Sequence, residues 1–447
     1  MRFHITTFGC QMNVHDSQWL GRTMRDKGWE DSDEDQAEVL ILNTCSVRDK
    51  PEQKVYSHLG RLRDYWSRNP ELFVAVGGCV AQQVGEAFFA RFPYVRLVFG
   101  PDGLPMVPEA LARLSREPGL RLSLLDFTES FPERDTALPD QGVQSQAFVN
   151  IMQGCDNYCA YCIVPLTRGR QRSRNSEAVI AECRSLLSRG VRDLTLLGQN
   201  VNSYGLDTKG REPVFSDLLR NIAELPGLRR LRFTTSHPKD LSSETIAAFG
   251  RFPNLCPQLH LPLQSGSNAV LRAMGRKYTL EHYLDKVELL RRERPEIALS
   301  TDLIVGFPGE TDQDFEQTLE AMRHVGFESS YSFMYSDRPG TRAASMENKI
   351  IQDVKAARLK TLQDLQNEIS QAALQERVGQ RAEVLVEGRS KKRSAATQCF
   401  RGRDESGRTV NFAAPSGSDL DFSGQIVSVR ILEAKKHSLW GCMEEVP

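Results

Sequence analysis

The stretch AFVNIMQGCDNYCAYC, residues 147–162, decides the fold: a strand-forming apolar run delivers the chain directly into a loop bearing Cys155, Cys159 and Cys162. Runs of the same kind recur downstream as DLTLLG, RLRFTT, QLHLPL, ALSTDLIVG and SYSFMY, separated by helical stretches such as 176–189. Six such strand–helix units predict a partial parallel (β/α)6 barrel, whose working face is built from the loops that follow its strands. Those loops read GCDNYCAYC, GQNVNSYG, SHPKD, QSGSN, GFPGET and SDRPGT, and all are rich in polar groups.

Toward the N-terminus, apolar runs at 3–8, 39–42 and 72–76 each lead into a turn that ends in a cysteine: TTFGC at Cys10, LNTC at Cys45 and VGGC at Cys79. Helical segments at 16–27 and 50–67 follow the first two. Strand, turn and helix in this order predict a doubly wound parallel sheet with right-handed crossovers. Ligands of such sheets gather beyond the carboxyl ends of the strands, so three cysteines far apart in sequence are placed along one edge. Residues 118–146 turn to Pro, Asp, Glu, Ser and Gly without periodicity and read as a linker. A polar helix over 351–377 precedes short β-like runs, RAEVLVEG, TVNFAAP and QIVSVRIL, which predict a small all-β barrel. The expected chain is therefore α/β over 1–117, linker over 118–146, α/β barrel over 147–376 and all-β over 377–443.

With 57 basic and 58 acidic residues the formal net charge is -1, so any hold on nucleic acid must come from local patches. At 40% hydrophobic and 26% charged residues the composition is that of an ordinary globular protein. No apolar run approaches the ~20 residues of a membrane span and the start MRFHITTFGC is unlike a secretory leader, which predicts a cytoplasmic protein without membrane contact. In that reducing compartment ten cysteines suit metal or redox chemistry better than disulfides.

Three thiolates on one short loop can hold three irons of a [4Fe-4S] cluster and leave the fourth open. S-Adenosylmethionine can chelate an open iron through its amino and carboxylate groups, and one electron then cleaves its sulfonium to a 5′-deoxyadenosyl radical. Structural zinc is the alternative, but it prefers four tetrahedral ligands, and no second paired-cysteine motif accompanies the loop. Taken singly, Cys10, Cys45 and Cys79 are equally at home as small buried hydrophobes.

The CxxxCxxC loop resembles the radical S-adenosylmethionine superfamily. TFGCQMNVHDSQ, LNTCSVRDK, GGCVAQQ, GCDNYCAYCIVPLTRGRQRSR, LLGQNVNSYG, HLPLQSGSN and STDLIVGFPGET together resemble the methylthiotransferases, over nearly the whole chain. TFGCQMN, CSVRDK and the VNF of the tail are similar to the members that modify N6-dimethylallyladenosine beside the anticodon of tRNA. Relatives acting on a ribosomal protein or on threonylcarbamoyladenosine tRNA resemble it less. Gln18, where the family often has an acidic residue, and Leu166, where it often has an aromatic one, depart from the pattern. The resemblance implies that Cys10, Cys45 and Cys79 hold a second [4Fe-4S] cluster. It further implies that one S-adenosylmethionine gives the methyl group and another the radical that abstracts hydrogen from adenine C2. The tail resembles a TRAM domain, an RNA-binding β-barrel, and the implied partners are tRNA, a sulfur source and an electron donor such as flavodoxin or ferredoxin.

Among the other candidates, Gln199, Asn200, Gln264, Ser265, Gly306, Gly309 and Glu310 lie in loops after strands, where they can contact S-adenosylmethionine. GFPGET lacks the Lys and Ser/Thr ending of a phosphate-binding loop, and its glycines suit a tight turn equally well. Arg168, Arg170, Arg172 and Arg174 follow the cysteine loop and can meet a cofactor carboxylate or RNA phosphates, Arg168 and Arg174 being the cofactor candidates; the alternative is a solvated face. Arg389, Lys391, Lys392, Arg393, Arg401, Arg403 and Arg408 cluster on expected turns of the tail as a grip on RNA, or as ordinary charged hairpins. His237, His260 and His282 show no pairing that argues for catalysis, and Cys183, Cys256, Cys399 and Cys442 no partner at ligand spacing. A non-catalytic iron–sulfur or zinc RNA-binding protein is the rival from another class; it would form no 5′-deoxyadenosine on anaerobic reduction.

Overall fold

The computed structural model describes residues 1–46, 49–134, 145–390, 398–415 and 420–444. Strands β1 (Arg2–Phe8), β2 (Glu30–Asp31), β3 (Val39–Thr44), β4 (Phe73–Gly78), β5 (Val95–Phe99) and β6 (Leu122–Leu124) form one parallel sheet in the order β2-β1-β3-β4-β5-β6. Every residue of β3 and β4 is buried, because both faces of the sheet are covered. Trp19, Leu20 and Met24 of helix Gln11–Asp26 pack with Leu111 and Leu114 of helix Val107–Arg116 on one face. Val55 and Leu59 of helix Asp49–Arg68 pack with Phe88 and Tyr94 on the other. The sheet is thus doubly wound. From β1 the chain goes to β2 on one side and returns to β3 on the other, which makes the carboxyl ends of β1 and β3 the switch point where such sheets bind ligands. Cys10 and Cys45 directly follow these two strands, and Cys79 opens the helix Cys79–Val84 after β4.

Residues 118–146 are not a plain linker. β6 pairs with β5 and completes the sheet, Gly100 N bonds to Leu124 O at 2.8 Å, and Thr128, Glu133 and Arg134 make polar contacts at the domain seam described below. β5 also falls outside the expected strands, because Arg96 interrupts its apolar run. Its guanidinium lies over the Phe73 ring at 4.9 Å and donates to the carbonyls of Leu114 and Leu120, so a charged residue is accommodated inside a buried strand.

The central domain carries β7 (Gln146–Asn150), β8 (Met152–Gln153), β9 (Arg172–Ser173), β10 (Asp193–Leu197), β11 (Arg230–Phe233), β12 (Gln258–His260), β13 (Ala298–Val305) and β14 (Ser329–Met334). Parallel sheets β11-β10-β7 and β12-β13-β14 are joined by the bridge Leu231–Leu255, giving six barrel strands in chain order with β7 and β14 at the open edges. β8 and β9 stand apart as an antiparallel pair that pinches the base of the cysteine loop. The run AFVNIMQ is therefore two strands, broken where Ile151 bonds to both Leu197 and Arg174.

Helix Gln352–Gln375 packs along β13 and β14 and leads to β15 (Arg381–Arg389), β16 (Cys399–Arg403), β17 (Thr409–Ala413), β18 (Ile426–Lys435) and β19 (Ser438–Met443). These close a barrel in the order β15-β16-β17-β19-β18 around Val384, Phe400, Val410, Phe412, Val429 and Leu439. The β16–β17 turn docks against the amino ends of the central strands. Arg230 donates to the carbonyls of Glu383 (2.7 Å) and Arg403 (3.0 Å), and Arg232 to that of Glu405 (2.7 Å). Arg408 is spent here: its side chain is 10% exposed, paired with Asp404 at 3.1 Å and with Glu328. The reading of Arg408 as an RNA contact is corrected accordingly, while Lys391, Lys392 and Arg393 lie outside the described residues. Arg408→Ala leaves two carboxylates facing each other in this seam and is expected to cost roughly 2–4 kcal/mol. Thermal unfolding checks it; a separate early transition of the small barrel is the expected signature.

Candidate functional site

At the N-terminal switch point the cysteine turns are tied together by a buried amide network. Asn13 Nδ2 donates to Asn43 Oδ1 (2.9 Å) and Thr44 O (3.1 Å), while Asn43 Nδ2 returns a bond to Asn13 O (2.9 Å). Thr44 Oγ1 reaches Gly77 O at 2.5 Å, which adds the third turn. Gly78 there has φ 89°, and a Cβ would stand 2.3 Å from Thr44 O, so only glycine lets β4 deliver Cys79 this close. Cys45 and Cys79 are buried and Cys10 sits on the solvent side. A hydrogen bond from the Cys45 thiol, together with the charge of Arg168, lowers Cys10 to about 6, which makes it the more readily ionised of the cysteines here.

The central trio sits on a loop whose crossing is equally tight. Gly154 has φ 80° with the Arg170 carbonyl where a Cβ would be, and Tyr158, between two of the cysteines, adopts φ 50°. Ala160 N bonds to Met274 O (2.8 Å) and Ala343 N to Ala160 O (2.8 Å), which fixes the loop to the strand-end loops around it. Arg276 Nη1 donates to Cys159 Sγ at 3.4 Å, and His237 Nε2 lies 4.0 Å from the same sulfur. His237 Nδ1 accepts from Lys239 N, and burial with the nearby Arg276 charge holds the ring neutral. Burial, then the neighbouring Cys159, pushes the Cys162 thiol up to about 12, and burial raises Cys155 as well.

The two trios face one seam. Gln199 Oε1 accepts from Gly154 N at 2.6 Å, and its amide touches the sulfur of Met12, two residues past Cys10. Asp102, beyond β5, takes a bidentate bond from Arg172 (2.5 and 3.1 Å) and another from Gln153. None of the six cysteines is in a disulfide, and together they are a soft donor set suited to iron–sulfur clusters. Among the described residues no Cys, His, Asp or Glu side chains are gathered as a single-ion site. The guanidinium of Arg168, 3% exposed, lies against Cys10 and Cys79 with both terminal nitrogens unbonded, as an anionic centre at that trio would require. The residues present fit a cluster at each trio.

Residues 2–100 match the Uncharacterized protein family UPF0004, 149–322 the Radical SAM superfamily and 375–443 the TRAM domain. The tRNA-2-methylthio-N(6)-dimethylallyladenosine synthase of Nitratidesulfovibrio vulgaris (strain Hildenborough) is 57% identical, over 98% of this chain and 97% of that protein. Those of Oleidesulfovibrio alaskensis and Geobacter sulfurreducens are 55% and 46% identical, each over 98% of this chain. The chain belongs to the tRNA-2-methylthio-N(6)-dimethylallyladenosine synthase family. Similar solved structures include the radical S-adenosylmethionine methyltransferase TsrM from Kitasatospora setae, with TM-score 0.56 at 17% identity over 77% of this chain and 74% of that one. The cobalamin-dependent S-adenosylmethionine radical enzyme OxsB gives TM-score 0.53 at 12% identity, over 82% and 56%. Both likenesses concern the fold.

In this member of the synthase family the strand-end candidates divide. Asn200 and Gln264 each keep a buried side-chain oxygen without a hydrogen-bond partner. Gln264 is held at φ 73° and Asn200 is oriented by Asp240 at 2.7 Å. Asn202 and Ser236 also present unbonded buried polar atoms; they lie in the quoted loops GQNVNSYG and SHPKD but were not singled out in the sequence. Ser265 is spent on Thr318 and Ser267 N, and Glu310 on Gly306 N (2.9 Å) and Arg358 (2.7 Å), so GFPGET is a stapled turn with Gly306 and Gly309 at positive φ. The arginine run divides among acidic partners: Arg172 pairs with Asp102, Arg174 with Glu182 and Glu133, and the exposed Arg170 with Asp156. A cavity of about 790 Å3 is lined by the starts of the central strands, the small-barrel turn and Gln11, His15, Gln18 and Arg22 of the first helix.

Metal binding requires thiolates, and the two trios differ in how readily they ionise. Iron loading of the central trio, measured with Cys10, Cys45 and Cys79 replaced by Ala, is expected to accelerate steeply as pH rises. The N-terminal trio, measured with Cys155, Cys159 and Cys162 replaced, is expected to respond more weakly because Cys10 ionises more readily.

Proposed function

We propose that this chain converts N6-(dimethylallyl)adenosine beside the anticodon of tRNA to its 2-methylthio derivative, as a radical S-adenosylmethionine methylthiotransferase. The observation that carries the proposal is the facing pair of thiol trios, supported by membership of the synthase family over the full chain. Bound there, two [4Fe-4S] clusters would supply the electron that cleaves S-adenosylmethionine and the sulfur that is inserted.

The chain's own residues do the holding and orienting. Cys155, Cys159 and Cys162 would ligate one cluster and Cys10, Cys45 and Cys79 the other. The unbonded oxygens of Asn200, Gln264 and Asn202 are acceptors suited to the ammonium and hydroxyl groups of S-adenosylmethionine. Leaving such atoms buried and unbonded costs about 1–3 kcal/mol each, which a purely structural RNA-binding module would have no reason to bear. Arg389 and the half-exposed Arg401 and Arg403 of the small barrel are suited to RNA phosphates. An electron donor such as flavodoxin or ferredoxin is supported by a basic cavity of about 590 Å3 beside the cysteine loop, where Arg272, Lys277 and Arg342 surround the exposed Tyr158. A cytoplasmic site of action is in keeping with ten cysteines, none of them in a disulfide.

Mass analysis of tRNA nucleosides from cells with and without the protein tests the proposal. The 2-methylthio mark on dimethylallyladenosine is expected to vanish without it, leaving the unthiolated nucleoside. A mark that persists, with loss instead from a ribosomal protein or from threonylcarbamoyladenosine, would transfer the activity to that substrate.

A further inference from the structure

Each thiol trio has one buried arginine, and the two are not equivalent. Arg276, beside Cys159, is fully engaged: it also donates to Pro262 O (3.0 Å), to Tyr278 OH (3.0 Å) and to Tyr161 OH (3.4 Å). Arg168 ends the short helix Val164–Arg168 that follows the central cysteine loop, yet its side chain serves the other trio. That helix packs on the helix Cys79–Val84, and the guanidinium lies against Cys79 and Cys10 with neither terminal nitrogen in a hydrogen bond.

Its charge is balanced only in part within the seam. Arg168 faces Asp16 at 3.8 Å, but Asp16 already binds Arg134 at 2.5 Å. All three side chains are at most 5% exposed, so two guanidiniums share one carboxylate in a closed seam. The adjacent His15 contributes no opposing charge, since its ring accepts from Asn150. A buried cation without its counter-charge costs several kcal/mol, so an anion belongs at this point. The thiolates of Cys10, Cys45 and Cys79 with their cluster are that anion in chemical terms.

We propose that Arg168 is a positioning residue of the central domain that supplies the counter-charge for the N-terminal cluster, so that loading this cluster also draws the two domains together. The inference rests on the two-cluster reading above. A cation beside the cluster favours its reduced, more negative state, and removing that cation shifts the midpoint potential downward. In the metal-free protein the same cation is balanced only in part, by Asp16 and by Cys10, so removing it costs less before the cluster is loaded than after.

The test uses the full chain with Cys155, Cys159 and Cys162 replaced by Ala, so that only the N-terminal cluster forms, and adds Arg168→Leu or Arg168→Lys. The readouts are iron content, midpoint potential followed by electron paramagnetic resonance, and unfolding temperature before and after reconstitution. Arg168→Leu is expected to lower the potential, and to lower the unfolding temperature more after reconstitution than before it; Arg168→Lys is expected to restore most of both. Failure of Arg168→Leu to load iron while Arg168→Lys loads it also supports the proposal. An unchanged potential at full iron content overturns it, as does equal destabilisation with and without metal, which marks a packing role. A parent that holds no cluster at all overturns the two-cluster reading itself.

Discussion

Charge buried between two α/β domains is the constraint on which this structure depends. Asp102 from the end of the N-terminal sheet and Arg172 from the base of the central cysteine loop meet as a bidentate pair, with both side chains at most 8% exposed. A few residues away, Asp16 meets Arg134 and Arg168 in the same closed seam. Buried pairs of this kind contribute little net stability, but they penalise every arrangement that separates the partners. What they specify is registry: the carboxyl ends of the two sheets must face each other, and therefore so must the cysteines that follow those strands.

From that registry the chemistry follows. Each domain brings three cysteines to the seam between them. Gln199, bonded to the central loop and touching Met12, sits between them as a physical link. The small barrel is attached at the opposite end of the central strands through Arg230, Arg232 and Arg408, so that it is held to the catalytic domain by the seam its own turn makes.

Much of this was legible in the sequence, and the pattern of what was not is instructive. β3 and β4 stand out because a strand buried on both faces must be continuously apolar, and the cysteines after them mark the strand ends by position alone. β5 was concealed by Arg96, whose charge is satisfied only by carbonyls around residues 114–120, a fact of tertiary structure. β6 was concealed by its length of three residues within a polar stretch. The four arginines after the cysteine loop are a harder case. As a sequence they form one basic run, yet Arg172 is paired 70 residues away and Arg168 serves a different domain, so their shared spacing hides different roles. Asn13 and Asn43 escaped notice for the reverse reason: amides are usually solvated, and only the fold shows these two closing on each other beneath Cys10.

The central claim is that one chain holds two separate clusters in facing positions, one per trio. Iron and sulfide analysis with Mössbauer spectroscopy on the anaerobically reconstituted full chain tests it most directly. About eight irons per chain, all in [4Fe-4S] form, are expected, falling to about four when either set of three cysteines is replaced. About four irons in the unaltered chain, or a count indifferent to replacing Cys10, Cys45 and Cys79, would contradict it.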